Sequence, residues 1–255
     1  MRLLDGFVLL STIAYILVGL VVGVRLLRLS RRTGGFPELA LGLAECTLCG
    51  AVPPLFLLAQ LLPGPDLLVR AASLGGNLAI AIGYSVMILF TWRVFRAREA
   101  WARWLAIGAI AAVAVCGVAG MGRAFAAEGI EELRSLDSTA FRLMSMISVA
   151  SYVWGAAEAF AYHRQLTKRL ALGLSDPVVV NRVLLWALVA VGAFIAAGVP
   201  LTVSLLGGNS MESVPSRLTC GVAVTACSIL LQLAFLPPES YTRWIYARYG
   251  LAATR

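Results

Sequence analysis

The sequence predicts an all-α membrane protein: a polytopic bundle of seven transmembrane helices, N-terminus outside and C-terminus cytoplasmic. Three observations carry this. The 255 residues are 60% hydrophobic and only 13% charged, where a soluble domain carries about 25% charged residues. Mean hydropathy is +0.86. Apolar runs of about 20 residues, the length that crosses hydrocarbon, recur seven times. They lack period-two alternation, and within lipid only helices or closed barrels satisfy the backbone.

The spans fall at roughly 6–29, 37–62, 71–95, 101–122, 139–163, 178–206 and 216–236. The first has its arginine cluster after it, which argues against a cleaved leader and for a true span. Residues 1–236 thus form one transmembrane domain, and 237–255 a cytoplasmic interfacial tail.

Loop charge sets the orientation. The net charge is +8, from twenty arginines and one lysine, Lys168. Arg25, Arg28, Arg31 and Arg32 follow span one. Arg93, Arg96, Arg98 and Arg103 follow span three. Arg164, Lys168, Arg169 and Arg182 follow span five, and Arg243, Arg248 and Arg255 follow span seven. Arg2, Arg70, Arg123, Arg134, Arg142 and Arg217 are left for the other side, where most acids also gather. The positive-inside rule puts the first group in the cytoplasm. Basic residues in short clusters between apolar runs exclude a nucleic-acid partner and fit membrane lipids. Arginine- and alanine-rich usage points to a high-GC bacterium, and so to a bacterial cytoplasmic membrane.

Local signals agree. "TGGFPEL" stops one helix at Gly34–Gly35 and restarts the next at Pro37. "LSDPVVVNR" caps the sixth span with Asp176 and opens it with Pro177. These two hinges share a basic helix end, glycine and a proline restart, as a parallel duplication of spans one to three onto five to seven would give. Pro53, Pro54 and Pro200 fall inside spans and should kink them. Gly19 and Gly23 form G-x-x-x-G, which suits packing of span one in the bundle over dimerisation. The five cysteines all lie in apolar runs and should be free thiols. Cys46 and Cys49 read as small residues at a close helix contact, not as a metal motif, because a zinc site would want two more ligands. The loop 123–138 is long enough for a capping amphipathic helix. "PPESYTRWIYARYG" reads as a short surface helix with rings at headgroup level.

Two acids sit at depth. Glu45 lies about 12 Å into span two and Glu158 about 9 Å above Arg164 in span five, at 1.5 Å per residue. A charge at a helix centre costs about 2.5–3.5 kcal/mol, so each acid must face the bundle, find a partner or keep a proton. Arg93, Asn181, Arg182 and Gln232 lie at the same level. Polar stripes on four spans, among them Ser148–Ser151–Gly155–Glu158–Tyr162 and Asn77–Tyr84–Thr91, converge on a shared interior. The functional reading is a proton-linked or gating cluster around Glu45 and Glu158, below a pocket lined by Asn77, Tyr84, Tyr152, Trp154 and Trp186. The structural reading is a buried Glu–Arg pair, with Glu158 clamping Arg182.

In topology the chain resembles the rhodopsin and G-protein-coupled-receptor arrangement. A microbial rhodopsin holds retinal on a lysine of its last span. Span seven has none here, so a retinal Schiff base is excluded. The receptor triplet aspartate–arginine–tyrosine is absent from the end of span three, where "TWRVFRAR" stands. Seven-span zinc hydrolases need several histidines, and this chain has only His163. Three-plus-one-plus-three sugar transporters share the span count. No nucleophile–base or metal constellation is visible, so an enzyme is not expected, nor a cofactor. The leading expectation is a small transporter or channel for an ion or small solute. Alternatives are a sensor with a separate signalling partner, or a lipid-binding structural subunit. A homo-oligomer fits any of them.

Overall fold

The computed structural model describes residues 2–61, 66–129, 138–209 and 213–249. Among them every regular element is helical: α1 (Arg2–Thr33), α2 (Phe36–Ala44), a π-helical segment (Glu45–Ala51), α3 (Val52–Leu61), α4 (Asp66–Phe95), α5 (Ala100–Ala126), α6 (Thr139–Ala171), α7 (Pro177–Leu205), α8 (Val214–Phe235) and α9 (Glu239–Arg248). Seven helical stretches are long and apolar enough to cross a membrane, with α2, the π segment and α3 joined into one. The chain is an integral membrane protein of seven spans. α6 runs two turns beyond the expected 163, because Arg164–Ala171 stays helical past the apolar run. Most of the expected capping helix in 123–138 falls outside the described residues.

The bundle is a closed ring. Each span packs on the next, α8 closes against α1, and α4 also reaches α6. Within both trios, spans one to three and five to seven, the middle span sits between its neighbours. The two hinges match locally. Gly34 and Gly173 hold φ of 68° and 72°, a left-handed conformation open to glycine at little cost.

Helix ends explain several polar residues. Asp176 accepts from the Val178 N–H at 2.7 Å, and Ser138 accepts from Phe141, satisfying first-turn donors. Arg70 donates to the carbonyls of Ala124, Phe125 and Ala127 at 2.6–3.0 Å. A cation there meets both the orphan carbonyls and the negative end of the α5 dipole. Arg182 does the same for α8 through Ala234 O, at 3.0 Å.

Small residues let α1 and the second span touch. A Cβ on Gly19 would overlap Cys49, and one on Gly23 would meet Cys46 Sγ at 2.6 Å. Backbones approach this closely in membranes because packing, not water exclusion, drives association. The G-x-x-x-G face is therefore spent inside the protomer, on C-T-L-C. All five cysteines are free. At the arginine-rich end, Phe90 packs edge-on against Phe95 and Trp186, and Trp186 against Phe235, each pair contributing about 0.5–1.5 kcal/mol beyond its area.

Candidate functional site

The site begins with Pro53 and Pro54. Neither has an N–H, and each ring crowds the carbonyl four residues back, here Cys49 and Gly50. The turn before them cannot keep the α register. It widens instead, and the Val52 N–H reaches Thr47 O, five residues back. Such π turns cluster at functional sites. The expected proline kink thus takes the form of a seven-residue π segment, with Glu45 at its head.

Glu45 is 4% exposed. It faces a cavity of about 30 Å³ at the bundle centre. Span one gives Tyr15 to this cavity, span three Thr91, span five Ser151 and Tyr152, and span six Trp186. The Cys49 thiol donates to Glu45 Oε2 at 3.0 Å. Among the described residues no other hydrogen-bond partner of the Glu45 side chain is seen, and no basic group is paired with it. Tyr15 lies on Cys49. Tyr152 meets Tyr84 edge-on with centroids 5.8 Å apart.

Glu158 belongs to a different place. Its carboxylate oxygens are both 2.9 Å from Arg96 Nε, and the Trp154 indole donates to it at 3.3 Å. Arg96, in the turn between α4 and α5, also donates to Glu99 at 2.6 Å. The Trp101 indole donates to the other Glu99 oxygen. Glu99 is exposed enough to titrate in water. Arg96, then Trp101, hold its carboxyl below the usual glutamate range.

This corrects the expected clamp. Arg182 holds Ala234 O and not Glu158. Depth along the axis had suggested the pairing, but depth does not fix which way a side chain points around the helix. The structure also divides the expected cluster. Arg93 lies over the rings of Trp92 and Phe36. Asn181 donates to the Tyr241 hydroxyl of α9 at 3.0 Å. Gln232 points outward. Of the expected lining, Tyr152 and Trp186 border the cavity. Tyr84 stands one ring behind Tyr152. Trp154 goes with Glu158, and Asn77 turns to Ser73 O and Gly120.

Sequence reasoning missed Tyr15 and Cys49 as neighbours of Glu45. The spacing of Cys49 from Glu45, one helical turn, was the available signal. No protein-family model, curated protein or solved structure matches the chain.

Proposed function

We propose that this chain is a small transporter or channel, moving an ion or small solute through the bundle, with Glu45 as the group that handles it. One observation carries the reading. A carboxyl within the membrane, paired with no basic side chain among the described residues, faces a cavity bordered by hydroxyls from several spans. An acid kept only for structure would be expected to hold a cation, as Glu158 holds Arg96. An intramembrane acid is expensive, and without such a partner it is a functional group by default.

The arginine-rich end is cytoplasmic by the positive-inside rule, so the N-terminus lies outside, in a bacterial cytoplasmic membrane. Membrane lipids surround the chain, and a homo-oligomer fits this reading.

A second reading is a seven-helix sensor coupled to a separate partner. It is favoured by the aromatic wall of the cavity, Tyr15, Tyr152 and Trp186. A lipid-binding structural subunit is the third, favoured by the Glu158–Arg96 pair.

Flux in liposomes separates them. Wild type is expected to carry at least one of H⁺, Na⁺, K⁺ or Cl⁻ above background, Glu45→Gln to lose it, and folded Glu158→Gln to retain most of it. Background flux of every ion in wild type would remove the permeation reading for those ions.

A further inference from the structure

We propose that the cavity is a binding site for a monovalent alkali-metal cation, held by Glu45, the hydroxyls of Thr91 and Ser151, and backbone carbonyls that the prolines leave bare. This names the cargo of the reading above and rests on it only for transport across the membrane. Binding at Glu45 stands apart from it.

The hydroxyls are the first argument. Thr91 and Ser151 are 2% and 6% exposed, and both border the cavity with Glu45. The Thr91 hydroxyl donates its hydrogen to Met87 O at 3.1 Å, and Ser151 donates its own to Ser148 O at 2.8 Å. Each oxygen keeps lone pairs and has no hydrogen left to give. Gly155, also on the cavity, leaves Thr91 Oγ1 uncovered; a Cβ there would lie 3.6 Å from it. The Cys49 thiol hydrogen is spent on Glu45 Oε2. Glu45, Thr91 and Ser151, from three different spans, thus offer electron pairs and no protons when the acid is ionised. Such a set attracts a cation and repels an anion. It is a poor path for a proton, because a relay needs groups that give one up.

The backbone is the second. Pro53 and Pro54 have no N–H, and the Val52 N–H goes to Thr47 O. Leu48 O therefore loses Val52, its α donor, and the next residue along is Pro53. Cys49 O would draw its α donor from Pro53 and its π donor from Pro54. Neither carbonyl has a helical donor, and both residues border the cavity. Carbonyls freed in broken membrane helices are suited to alkali ions, since they replace the hydration shell.

Charge is the third. Among the described residues that border the cavity there is no arginine, lysine or histidine, and Glu45 is the one carboxyl. Ionised, it brings a single negative charge, which a monovalent cation cancels. A divalent ion would leave net charge buried in the membrane, which is costly. Oxygen donors suit a hard cation.

Thermal melts of the detergent-solubilised full chain test this, in sodium, potassium or lithium chloride against choline chloride at equal ionic strength and fixed pH. Wild type should melt higher in at least one alkali chloride, with a shift that saturates. Folded Glu45→Gln should melt alike in all four salts, and folded Glu158→Gln should respond as wild type does. Thr91→Val should raise the half-saturating salt concentration by about tenfold or more. Equilibrium binding of ²²Na⁺ and ⁸⁶Rb⁺ to wild type and Thr91→Val gives the same comparison without relying on the glutamine variant. Wild type that melts alike in all four salts and binds neither isotope overturns the proposal. So does a shift that persists in Glu45→Gln, which puts the ion elsewhere. Unchanged affinity in folded Thr91→Val overturns the ligand set. Flux of H⁺ without alkali binding overturns the cargo and leaves the permeation reading. Alkali binding lost in Glu45→Gln, with background flux of every ion, supports the site and removes the permeation reading alone.

Discussion

Arg96 and Glu158 lock the third and fifth spans together: one guanidinium nitrogen of the α4–α5 turn lies 2.9 Å from both oxygens of a carboxylate on α6. The acid is 10% exposed and the arginine 36%. The pair therefore lies between the surface case, which contributes under about 1 kcal/mol, and the buried case. Removing a partner from a buried pair costs about 3–5 kcal/mol.

Arg96→Ala is accordingly expected to cost about 1–2 kcal/mol. It leaves Glu158 with only the Trp154 indole. Adding Glu158→Gln should recover part of the loss, since the uncompensated charge goes with it. Thermal melts of the purified protein and its three variants give the cycle. A double variant no better than Arg96→Ala would show that the carboxylate was not left stranded.

The pH response of the same network has a definite sign. Arg96, then Trp101, hold Glu99 below its ordinary value of 4.5. A carboxyl held low in the folded state adds stability above its unfolded value and loses it as pH falls through the folded one. The melting-temperature gap between wild type and Glu99→Gln should be present near pH 6, about its full size there. It should close as the solution is acidified below 4.5. A gap that widened in acid would contradict the assignment.

Gly19→Ala is expected to destabilise by about 1–3 kcal/mol, the usual range for overpacking. The added methyl meets Cys49 Cβ, which is fixed to backbone and cannot swing away. Because this face is covered within the protomer, the oligomeric state should not change. Light scattering of the detergent-solubilised variant checks that, and a shift in mass would place the glycines at an interface between copies.

Helix α9 is held to the start of α7 by two hydrogen bonds, Asn181 to the Tyr241 hydroxyl at 3.0 Å and the Tyr246 hydroxyl to Asp176 at 3.2 Å. Ile245 is its buried anchor. Tyr241→Phe with Tyr246→Phe removes both bonds, about 0.5–1.5 kcal/mol each. Trypsin should then cut faster at Arg243. Unchanged cleavage would mean that Ile245 alone holds the helix.

Pro53→Ala with Pro54→Ala restores two backbone donors inside a helix, where each proline costs about 3 kcal/mol. The span should become more stable and regain the α register, carrying Glu45 out of the cavity. A higher melting temperature with lost ion flux is the expected result. Retained flux would mean that the π segment does not position the acid.

Much of this architecture was legible in the sequence. Span positions follow from hydropathy, and the starts and stops from Gly34, Pro37, Asp176 and Pro177, because these effects are local. Residue size also gave a close helix contact at Cys46 and Cys49 and the packing of Gly19 and Gly23 within the bundle, but not that these two faces meet each other. The site was harder to read. Helix periodicity brought Glu45 and Glu158 to one depth, but the turn after α4 supplied Arg96 from outside any span. No helix-to-helix arithmetic includes a loop arginine. Nor did the prolines announce which widened register the chain would adopt before them.

The widened turn has a practical consequence for any scan along the second span. One extra residue per turn displaces later side chains by about 100° around the axis. A helical wheel drawn straight from Phe36 to Leu61 therefore assigns the wrong lipid-facing positions after Ala51, and accessibility measured residue by residue there should break phase once, between Glu45 and Val52.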